Sequence, residues 1–194
     1  MIKRLFDITS ALLVLIILSP LFSIIGLLII IDSKGGIIYY QERVGRNLKP
    51  FLIYKFRTMK KNSKGLKITV GKDPRITTIG HALRKYKLDE LPQLINIIKG
   101  DMSVVGPRPE TPNYVALYTL SQQRVLDVRP GLTDYASLEF IDENKALSAY
   151  DDPEKAYIET IMPAKLSLNL KYINEYSFWV DVKIIFKTIF KIFY

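Results

Sequence analysis

Residues 5–31 form an almost uninterrupted apolar run, which limits the folds open to this chain more than any other feature. Asp7 is the only charged residue among these 27. A helix of this length would measure about 40 Å, more than a hydrocarbon core of about 30 Å requires. The run therefore predicts a helical segment that associates with a membrane.

Residue patterns alone do not decide whether this segment spans the membrane. Ser19-Pro20 lies in the middle of the run, where proline removes a backbone hydrogen bond and kinks a helix. Basic residues flank both ends, and basic flanks favour the cytoplasmic side of a membrane. The alternatives are a kinked helix that spans the bilayer and a re-entrant helix that bends at Ser19-Pro20 and returns.

Residues 178–194 give a second membrane signal. Lys183, Lys187 and Lys191 are spaced four residues apart, so they share one helical face, and most of the remaining residues are aromatic or aliphatic. This pattern predicts an amphipathic helix lying in the headgroup plane. A helix that packs on the protein core with its lysines outward would have the same pattern.

Positive charge is concentrated directly after the apolar run. Residues 34–108 contain 17 Lys and Arg against 5 Asp and Glu, a net charge of +12, whereas residues 109–194 carry −3. Anionic lipid headgroups or phosphorylated substrates are the expected partners. Nucleic acid would also suit the charge, but no nucleic-acid-binding motif is visible, so none is expected.

Composition excludes several kinds of active site. The chain has no cysteine and a single histidine, His81. Disulfides, thiolate zinc sites, cysteine nucleophiles and multi-histidine metal centres are therefore excluded, and a Ser-His-Asp triad is disfavoured. Any chemistry must depend on carboxylates, hydroxyls or amines.

Residue patterns between the two membrane signals predict an α+β fold that is predominantly helical. Alternating apolar and polar residues predict short strands at 37–40 and 51–56, joined by a turn. A polar, basic, mobile loop is predicted over 60–71. Helices are predicted from about 79, over 90–99 with Gly100 as the stop, over 114–128 and over 152–176.

Asp89 and Glu90, within KLDELPQ, are the sharpest local feature. Asp89 suits an N-cap and Glu90 a first helical turn, so both acids could simply stabilise a helix start. Alternatively, the partial positive charge of a helix start binds phosphate and keeps Asp89 ionised, and an ionised Asp is a nucleophile. Mg²⁺ would then bridge a carboxylate and the substrate phosphates, and Arg84 and Arg108 could contact phosphate oxygens.

The chain resembles the bacterial sugar transferases, small monotopic phosphoglycosyl transferases that begin glycoconjugate assembly on polyprenol phosphate. The resemblance covers nearly the whole chain. Besides the apolar run with Ser19-Pro20, it rests on seven blocks in order: QERVG (41–45), YKFRTM (54–59), DPRIT (73–77), LDELPQ (88–93), KGDMS (99–103), GPRP (106–109) and RPGLT (129–133).

The resemblance implies a specific reaction. Asp89 would attack the β-phosphate of a UDP-sugar, release UMP and form a covalent phosphosugar ester. Polyprenol (undecaprenyl) phosphate would then take the sugar-1-phosphate. Glu90 would be the second member of a catalytic dyad, which would hold Mg²⁺ together with Asp89 or help to activate Asp89. Arg84 and Arg108 match positions that bind phosphate or nucleotide, and Lys55 lies in a matching basic motif.

The resemblance also implies where the protein works. A re-entrant helix over 1–33 would have both ends in the cytosol, a catalytic domain over 34–177 would lie on the cytosolic face, and 178–194 would be an interfacial helix. The expected location is the bacterial cytoplasmic membrane. The expected partners are a UDP-sugar, polyprenol phosphate, an anionic phospholipid membrane and a second copy of the chain.

Two departures from the family pattern stand out. DYASLE (134–139) replaces a more usual glycine-containing stretch and could alter sugar selectivity, and Asn169 aligns where an Asp is common. A non-enzymatic alternative remains, in which a membrane-anchored basic module binds anionic lipid or nucleic acid. In that alternative, Asp89 and Glu90 only cap a helix.

Overall fold

The apolar run folds as two helices that meet at a sharp bend. The computed structural model describes residues 2–60 and 73–193, in which α1 (Ile2–Ile17) and α2 (Ser19–Asp32) meet at 63°. Within these residues no single helix has the length and apolar character needed to cross a bilayer, although the bent pair taken together does. The bend confirms the predicted kink at Ser19-Pro20, while the re-entrant topology stays a prediction.

A β-hairpin follows the helix pair. Strands β1 (Ile38–Val44) and β2 (Pro50–Phe56) are antiparallel, with Tyr40 opposite Tyr54 and Tyr39 opposite Lys55. Both strands confirm the sequence prediction, although β1 continues four residues further than its short alternating pattern indicates. The loop predicted over 60–71 lies outside the described residues, apart from Lys60.

The central helices are shorter than predicted. Helix α3 (Thr78–Lys85) leads into a 3-10 turn at Leu88–Glu90 and then α4 (Gln93–Lys99). Gly100 ends α4 with a φ of 96°, a conformation that glycine adopts without steric cost, so the predicted stop is confirmed.

The second half contains a small parallel sheet and a helical layer. Strand β3 (Ser103–Val105) pairs with β4 (Gly131–Thr133), a sheet that the sequence analysis missed. The predicted helix at 114–128 is instead three short pieces. The helices of this half are α5 (Pro112–Val115), α6 (Leu120–Gln123), α7 (Tyr135–Glu139), α8 (Glu143–Leu147), α9 (Pro153–Ala156), α10 (Met162–Glu175) and α11 (Phe178–Phe193), with a 3-10 turn at Arg124–Asp127 and a π-helical turn at Tyr157–Ile161.

The helix pair packs directly on the rest of the fold. Ala11 of α1 is buried with Ile53 of β2 and Ile97 of α4, and α2 packs Ile25 against Phe56 of β2. Their outward faces remain exposed, and the exposed large apolar residues of the two helices are Ile2, Leu5, Leu12, Leu13, Ile16, Ile17, Ile24, Leu27, Leu28, Ile30 and Ile31. A contiguous exposed apolar surface of this kind indicates contact with lipid or with another apolar surface.

Asp7, the charge within the apolar run, is buried by protein. Its carboxylate accepts hydrogen bonds from Ser103 Oγ at 2.8 Å and from the Val104 backbone N–H at 3.1 Å. Lys3 Nζ lies 3.9 Å from Asp7 and 2.6 Å from Asp181 of α11. The start of α1 is therefore fixed to β3 and to α11 by buried polar contacts.

Arg57 fixes the exit of α2 to the end of β2. This buried guanidinium donates to the backbone carbonyls of Ser33, Lys34 and Gly36 at 2.8, 2.8 and 2.6 Å. These three residues follow Asp32, the last residue of α2, and the buried cation gives their backbone carbonyls hydrogen-bond partners. Arg57 therefore sets how the helix pair joins the β-hairpin.

Helix α11 combines the two alternatives predicted for the C-terminal segment. Ile184 and Asp181 are buried against the domain, and Thr188 Oγ1 lies 2.7 Å from Thr133 Oγ1. The outward face carries exposed aromatic rings as well as lysines: Trp179, Phe186, Phe190, Lys183 and Lys187. One face of the helix thus packs on the core, and the outward face has the composition of an interfacial helix.

Candidate active site

Asp89 and Glu90 lie in the 3-10 turn between α3 and α4, and neither caps a helix. Lys87 precedes the turn with a φ of 54°, in the left-handed region, and Pro92 rather than Asp89 occupies the N-cap position of α4. No side-chain capping bond forms at either position. The capping interpretation of Asp89 is therefore wrong. The left-handed backbone conformation at Lys87 starts a separate 3-10 turn, and α4 begins only after it.

Glu90 is tied to two cations. Its Oε1 accepts hydrogen bonds from Lys55 Nζ, at 3.1 Å, and from Arg108 Nη2. Burial favours the neutral acid, but the charges of Arg108 and Lys55 overcome that effect and hold the pKa of Glu90 well below its usual range. Burial also lowers the pKa of Lys55, against the opposing charge of Glu90. Glu90 is therefore an ionised, fixed carboxylate.

Asp89 has the opposite environment. It is 7% exposed, and its carboxylate makes no hydrogen bond or ion pair with the residues that the structure describes. Burial and then the neighbouring charge of Glu90 raise its pKa, although Lys55, Arg84 and Lys87 act against this. Asp89 is a desolvated carboxylate with both oxygens available, as a nucleophile requires.

Arg108 is held rigidly beside the two acids. Besides Glu90, its side chain donates to the Leu132 carbonyl at 3.1 Å, and its backbone N–H donates to Asp134 Oδ2 at 3.1 Å. Burial alone would lower the pKa of Arg108, but Glu90 raises it above its usual value. A guanidinium has five N–H donors, so Arg108 keeps donors for a phosphate after these contacts.

Arg84 reaches the site from α3, which is itself anchored to the β-hairpin and to α2. Thr77 caps α3 by accepting the Gly80 N–H, and Asp32 of α2 accepts the Ile79 N–H at 3.0 Å. Arg84 Nε donates to Thr58 Oγ1 at 2.9 Å. Burial lowers the pKa of Arg84. Among the acids whose negative charge raises this pKa again, Asp89 has the largest effect, so the guanidinium lies within electrostatic range of Asp89.

Replacing Gly80 by alanine tests how closely α3 must approach Thr58. A Cβ at Gly80 would lie 2.2 Å from the Thr58 carbonyl oxygen, so α3 must move away and the contact between Arg84 and Thr58 must lengthen. Alanine favours helices by about 1 kcal/mol over glycine, yet we expect a lower melting temperature, measured by thermal unfolding. Gly36→Ala is the matched control, since its Cβ meets nothing closer than 3.9 Å. A Gly80→Ala protein as stable as the parent would contradict this packing.

The donor set fits a magnesium ion that is shared with a substrate. No group of three or more metal-binding side chains occurs in the part of the chain that the structure describes, so these residues do not form a complete protein cage. Asp89 has both oxygens available, and Glu90 Oε2 makes no hydrogen bond with a described residue. Mg²⁺ commonly binds one or two carboxylates together with substrate phosphates and water, so Asp89 and Glu90 fit such an ion.

The structure brings together all five predicted site residues, Lys55, Arg84, Asp89, Glu90 and Arg108, through the contacts and charge effects described above. Sequence reasoning missed Thr58, which holds Arg84, and the role of Asp134. An Asp three residues before Ser137, whose N–H it accepts at 2.6 Å, is a recognisable capping pattern that could have identified the latter.

Asn169 and residues 134–139 are the two places where the sequence departs from the family pattern. Asn169 is 4% exposed in α10, and its side-chain oxygen has no hydrogen-bond partner among the described residues. None of the contacts made by Asp89 or Glu90 involves it. Asp134 supports the Arg108 backbone, while an effect of this stretch on sugar selectivity stays a prediction.

Comparison with known protein families agrees with the resemblance. The family model described as "Bacterial sugar transferase" matches residues 1–194. The chain is 38% identical over 196 residues to the UDP-glucose:undecaprenyl-phosphate glucose-1-phosphate transferase of Escherichia coli (strain K12), covering 98% of this chain and 40% of that protein. The match to the UDP-N-acetylgalactosamine-undecaprenyl-phosphate N-acetylgalactosaminephosphotransferase of Aeromonas hydrophila is 37% identical and covers 97% and 43%.

The chain thus spans about two fifths of the length of these two relatives. By contrast, it covers 93% of the exopolysaccharide production protein PSS of Rhizobium leguminosarum bv. phaseoli, at 38% identity over 197 residues. The matched region therefore corresponds to nearly all of one relative and to a part of the other two.

Proposed function

Because this chain belongs to the bacterial sugar transferase family, we propose that it transfers a sugar-1-phosphate from a UDP-sugar to polyprenol phosphate. The observation that carries the proposal is the asymmetry of the acidic pair. Glu90 is fixed by two cations, whereas Asp89 is buried with no hydrogen-bond partner among the described residues. A desolvated carboxylate next to a fixed one is suited to nucleophilic attack.

In the first step, an Asp89 oxygen forms a bond to the β-phosphorus of the UDP-sugar. The bond from that phosphorus to the bridging oxygen breaks, and UMP leaves with the electron pair. The product on the protein is a mixed anhydride between Asp89 and the sugar-1-phosphate. Arg108 and Arg84 donate to the phosphate oxygens and reduce the repulsion between the diphosphate and Asp89.

Glu90 acts by positioning its cationic partners. It holds Arg108 and Lys55 at one carboxylate, so both cations have a defined location before substrate arrives. Mg²⁺ held by Asp89, Glu90 and the substrate phosphates would neutralise diphosphate charge when bound. The fixed cations lower the charge repulsion around Asp89 in the same way.

In the second step, a phosphate oxygen of polyprenol phosphate attacks the same phosphorus. The bond to Asp89 breaks, the carboxylate is regenerated, and polyprenyl diphosphate-sugar is released. A lipid acceptor presents its phosphate at headgroup depth, so the protein must hold its site there. The exposed apolar faces of α1, α2 and α11 support a location at the cytoplasmic membrane, with α1 and α2 as a re-entrant pair.

The test is to incubate the purified full chain with a panel of UDP-sugars and no lipid acceptor. We expect a burst of UMP of about one equivalent with at least one sugar, and a sugar-phosphate mass on the peptide that contains Asp89. Added EDTA should suppress the burst if Mg²⁺ assists. An unmodified Asp89 peptide and no UMP burst in this incubation, followed by full polyprenol-linked product once polyprenol phosphate is added, would contradict the covalent step. No UMP from any sugar nucleotide would contradict the proposed function.

A further inference from the structure

A cavity of about 220 Å³ opens beside the β-hairpin, lined by Ile38, Tyr40, Tyr54, Pro92 and Ile95. We call it the tyrosine cavity. It does not include Asp89, Glu90 or Arg108, so the steps described above leave it unused. Its volume is smaller than the 300 Å³ or so at which pockets for whole drug-sized ligands begin, so it fits a part of a larger molecule.

The lining of the tyrosine cavity is apolar and aromatic. Tyr40 and Tyr54 face each other across the hairpin, with ring centroids 5.3 Å apart and planes at 84°. The Tyr54 hydroxyl accepts a hydrogen bond from Lys99 Nζ at 2.7 Å. None of the five lining residues is charged, so the cavity suits a hydrocarbon group better than a polar one.

The position of the tyrosine cavity links the acidic pair to the apolar helices. Pro92 follows Glu90 by two residues, so one wall of the cavity begins within about one helical turn of the acids. At the other side, Ile38 belongs to the cluster that packs with Phe22 and Ile25 of α2. One wall of the cavity is therefore close in sequence to the acidic pair, and another wall belongs to the apolar cluster that holds α2.

We propose that the tyrosine cavity binds the first isoprene units of the polyprenol phosphate acceptor, an inference that rests on the proposed function. With the acceptor phosphate at Asp89, the hydrocarbon chain must leave the site toward the membrane. The tyrosine cavity provides an apolar surface at the start of that path, and Ile38 in its wall packs in the same cluster as Phe22 and Ile25 of α2. Burying a few isoprene carbons there also aligns the acceptor phosphate for attack on the phosphosugar ester.

A nucleobase is the competing occupant, because bases also stack on tyrosine rings. A buried base must satisfy several donors and acceptors on its edge. The lining side chains offer only the two tyrosine hydroxyls, and that of Tyr54 already accepts from Lys99. These contacts favour the isoprenoid chain. Substitutions in the cavity should affect the KM for polyprenol phosphate if an isoprenoid chain binds there, and the KM for the UDP-sugar if a nucleobase does.

The test compares Tyr40→Ala and Ile95→Ala with the parent chain in nanodiscs, one half-reaction at a time. Both side chains are partly exposed, at 56% and 40%, so truncation should leave the protein folded. We expect the size of the UMP burst, and the UDP-sugar concentration that gives half of it, to stay within twofold of the parent values. The KM for polyprenol phosphate should rise about tenfold, as expected when several buried CH₂ contacts are lost. Tyr150→Ala, an equally exposed tyrosine outside the cavity, is the control and should change neither.

Acceptor length gives an independent measurement. Polyprenol phosphate analogues with one, two and three isoprene units should react progressively faster with the parent chain, and this gain should be lost in Tyr40→Ala. An unchanged acceptor KM in both variants would overturn the proposal. A raised KM for the UDP-sugar would assign the cavity to the nucleobase and would overturn it equally.

A binding readout separates this inference from the proposed function. A photoreactive isoprenyl phosphate, with its diazirine on the second isoprene unit, should label the peptides that contain Tyr40 or Ile95, whether or not the protein turns over. Labelling without any UMP release would retain the lipid site and reject the transferase. UMP release with labelling only elsewhere would retain the transferase and reject this cavity as the lipid site.

Discussion

An Asp89→Asn protein is expected to lose the UMP burst by at least about 10³-fold, because the amide cannot act as the nucleophile. The same change should make the protein more stable. Burial raises the pKa of Asp89, so folding at neutral pH must place a charge where the neutral form is favoured. A neutral amide of the same shape avoids that cost, which we expect to be about 1–3 kcal/mol, measured by thermal or denaturant unfolding.

The pH dependence of this gain follows from the direction of the shift. Below the ordinary Asp pKa of about 3.9, the carboxyl is protonated in the folded and unfolded chains, and the variant and the parent should be equally stable. As the pH rises, the unfolded carboxyl ionises first, so the parent loses stability relative to Asp89→Asn until the folded carboxyl has also ionised. The gain is therefore largest at neutral pH.

Asp151→Asn, at an exposed acid with no described contact, is the matched control and should change neither stability nor activity. An Asp89→Asn protein that keeps the UMP burst would contradict the role of Asp89 as the nucleophile, whereas no UMP burst from the parent chain would favour the non-enzymatic membrane module. An inactive variant with reduced stability would contradict the environment assigned to Asp89, although not its role in the reaction.

Glu90→Gln, at the residue next to Asp89, should lower the stability of the protein, whereas Asp89→Asn should raise it. Glu90 is ionised beside Arg108 and Lys55, and its amide counterpart would leave two partly buried cations without their counter-charge. Breaking such a pair usually costs 3–5 kcal/mol; because the amide oxygen can still accept, we expect about 3 kcal/mol here. The UMP burst should also fall sharply, since Arg108 and Lys55 lose the group that positions them.

The stability loss in Glu90→Gln should also depend on pH. The pKa of Glu90 is lowered by folding, so its contribution is present above the ordinary Glu pKa of about 4.3 and disappears as the pH falls through the lowered value. The difference between the parent and the variant should therefore be complete at neutral pH and shrink in acid. Glu42→Gln, at an exposed acid on β1, is the control. Equal stability of Glu90→Gln and the parent at pH 7 would contradict the ion-pair arrangement.

The sequence predicted those features that depend on local patterns. Pro20 predicted the bend between α1 and α2, because proline acts on the helix that contains it whatever the surroundings. The strands of the hairpin followed from alternating residues, and the end of α4 followed from Gly100. Asp89, Glu90, Arg84 and Arg108 were already candidates from the residues themselves, and the family resemblance gave them specific roles. Lys55 came from the resemblance alone.

Other features depend on contacts between distant residues and could not be predicted in this way. The β3–β4 sheet has three-residue strands that pair only because Gly131 and Ser103 are brought together by the fold. The capping hypothesis failed because Lys87 adopts a left-handed backbone, for which a lysine gives no signal. The different states of Asp89 and Glu90 likewise arise from Arg108, which is 18 residues from Glu90 in sequence.

The polar anchor of α1 has a consequence for the order in which the protein is made. Asp7 leaves the ribosome long before its partner Ser103, 96 residues later, and Lys3 meets Asp181 only after a further stretch of translation, at a separation of 178 residues. During synthesis, the Asp7 carboxylate therefore lacks the two hydrogen-bond donors, Ser103 Oγ and the Val104 N–H, that it has in the folded protein. The set of polar contacts that fixes α1 can therefore be completed only after Asp181 of α11 has been translated.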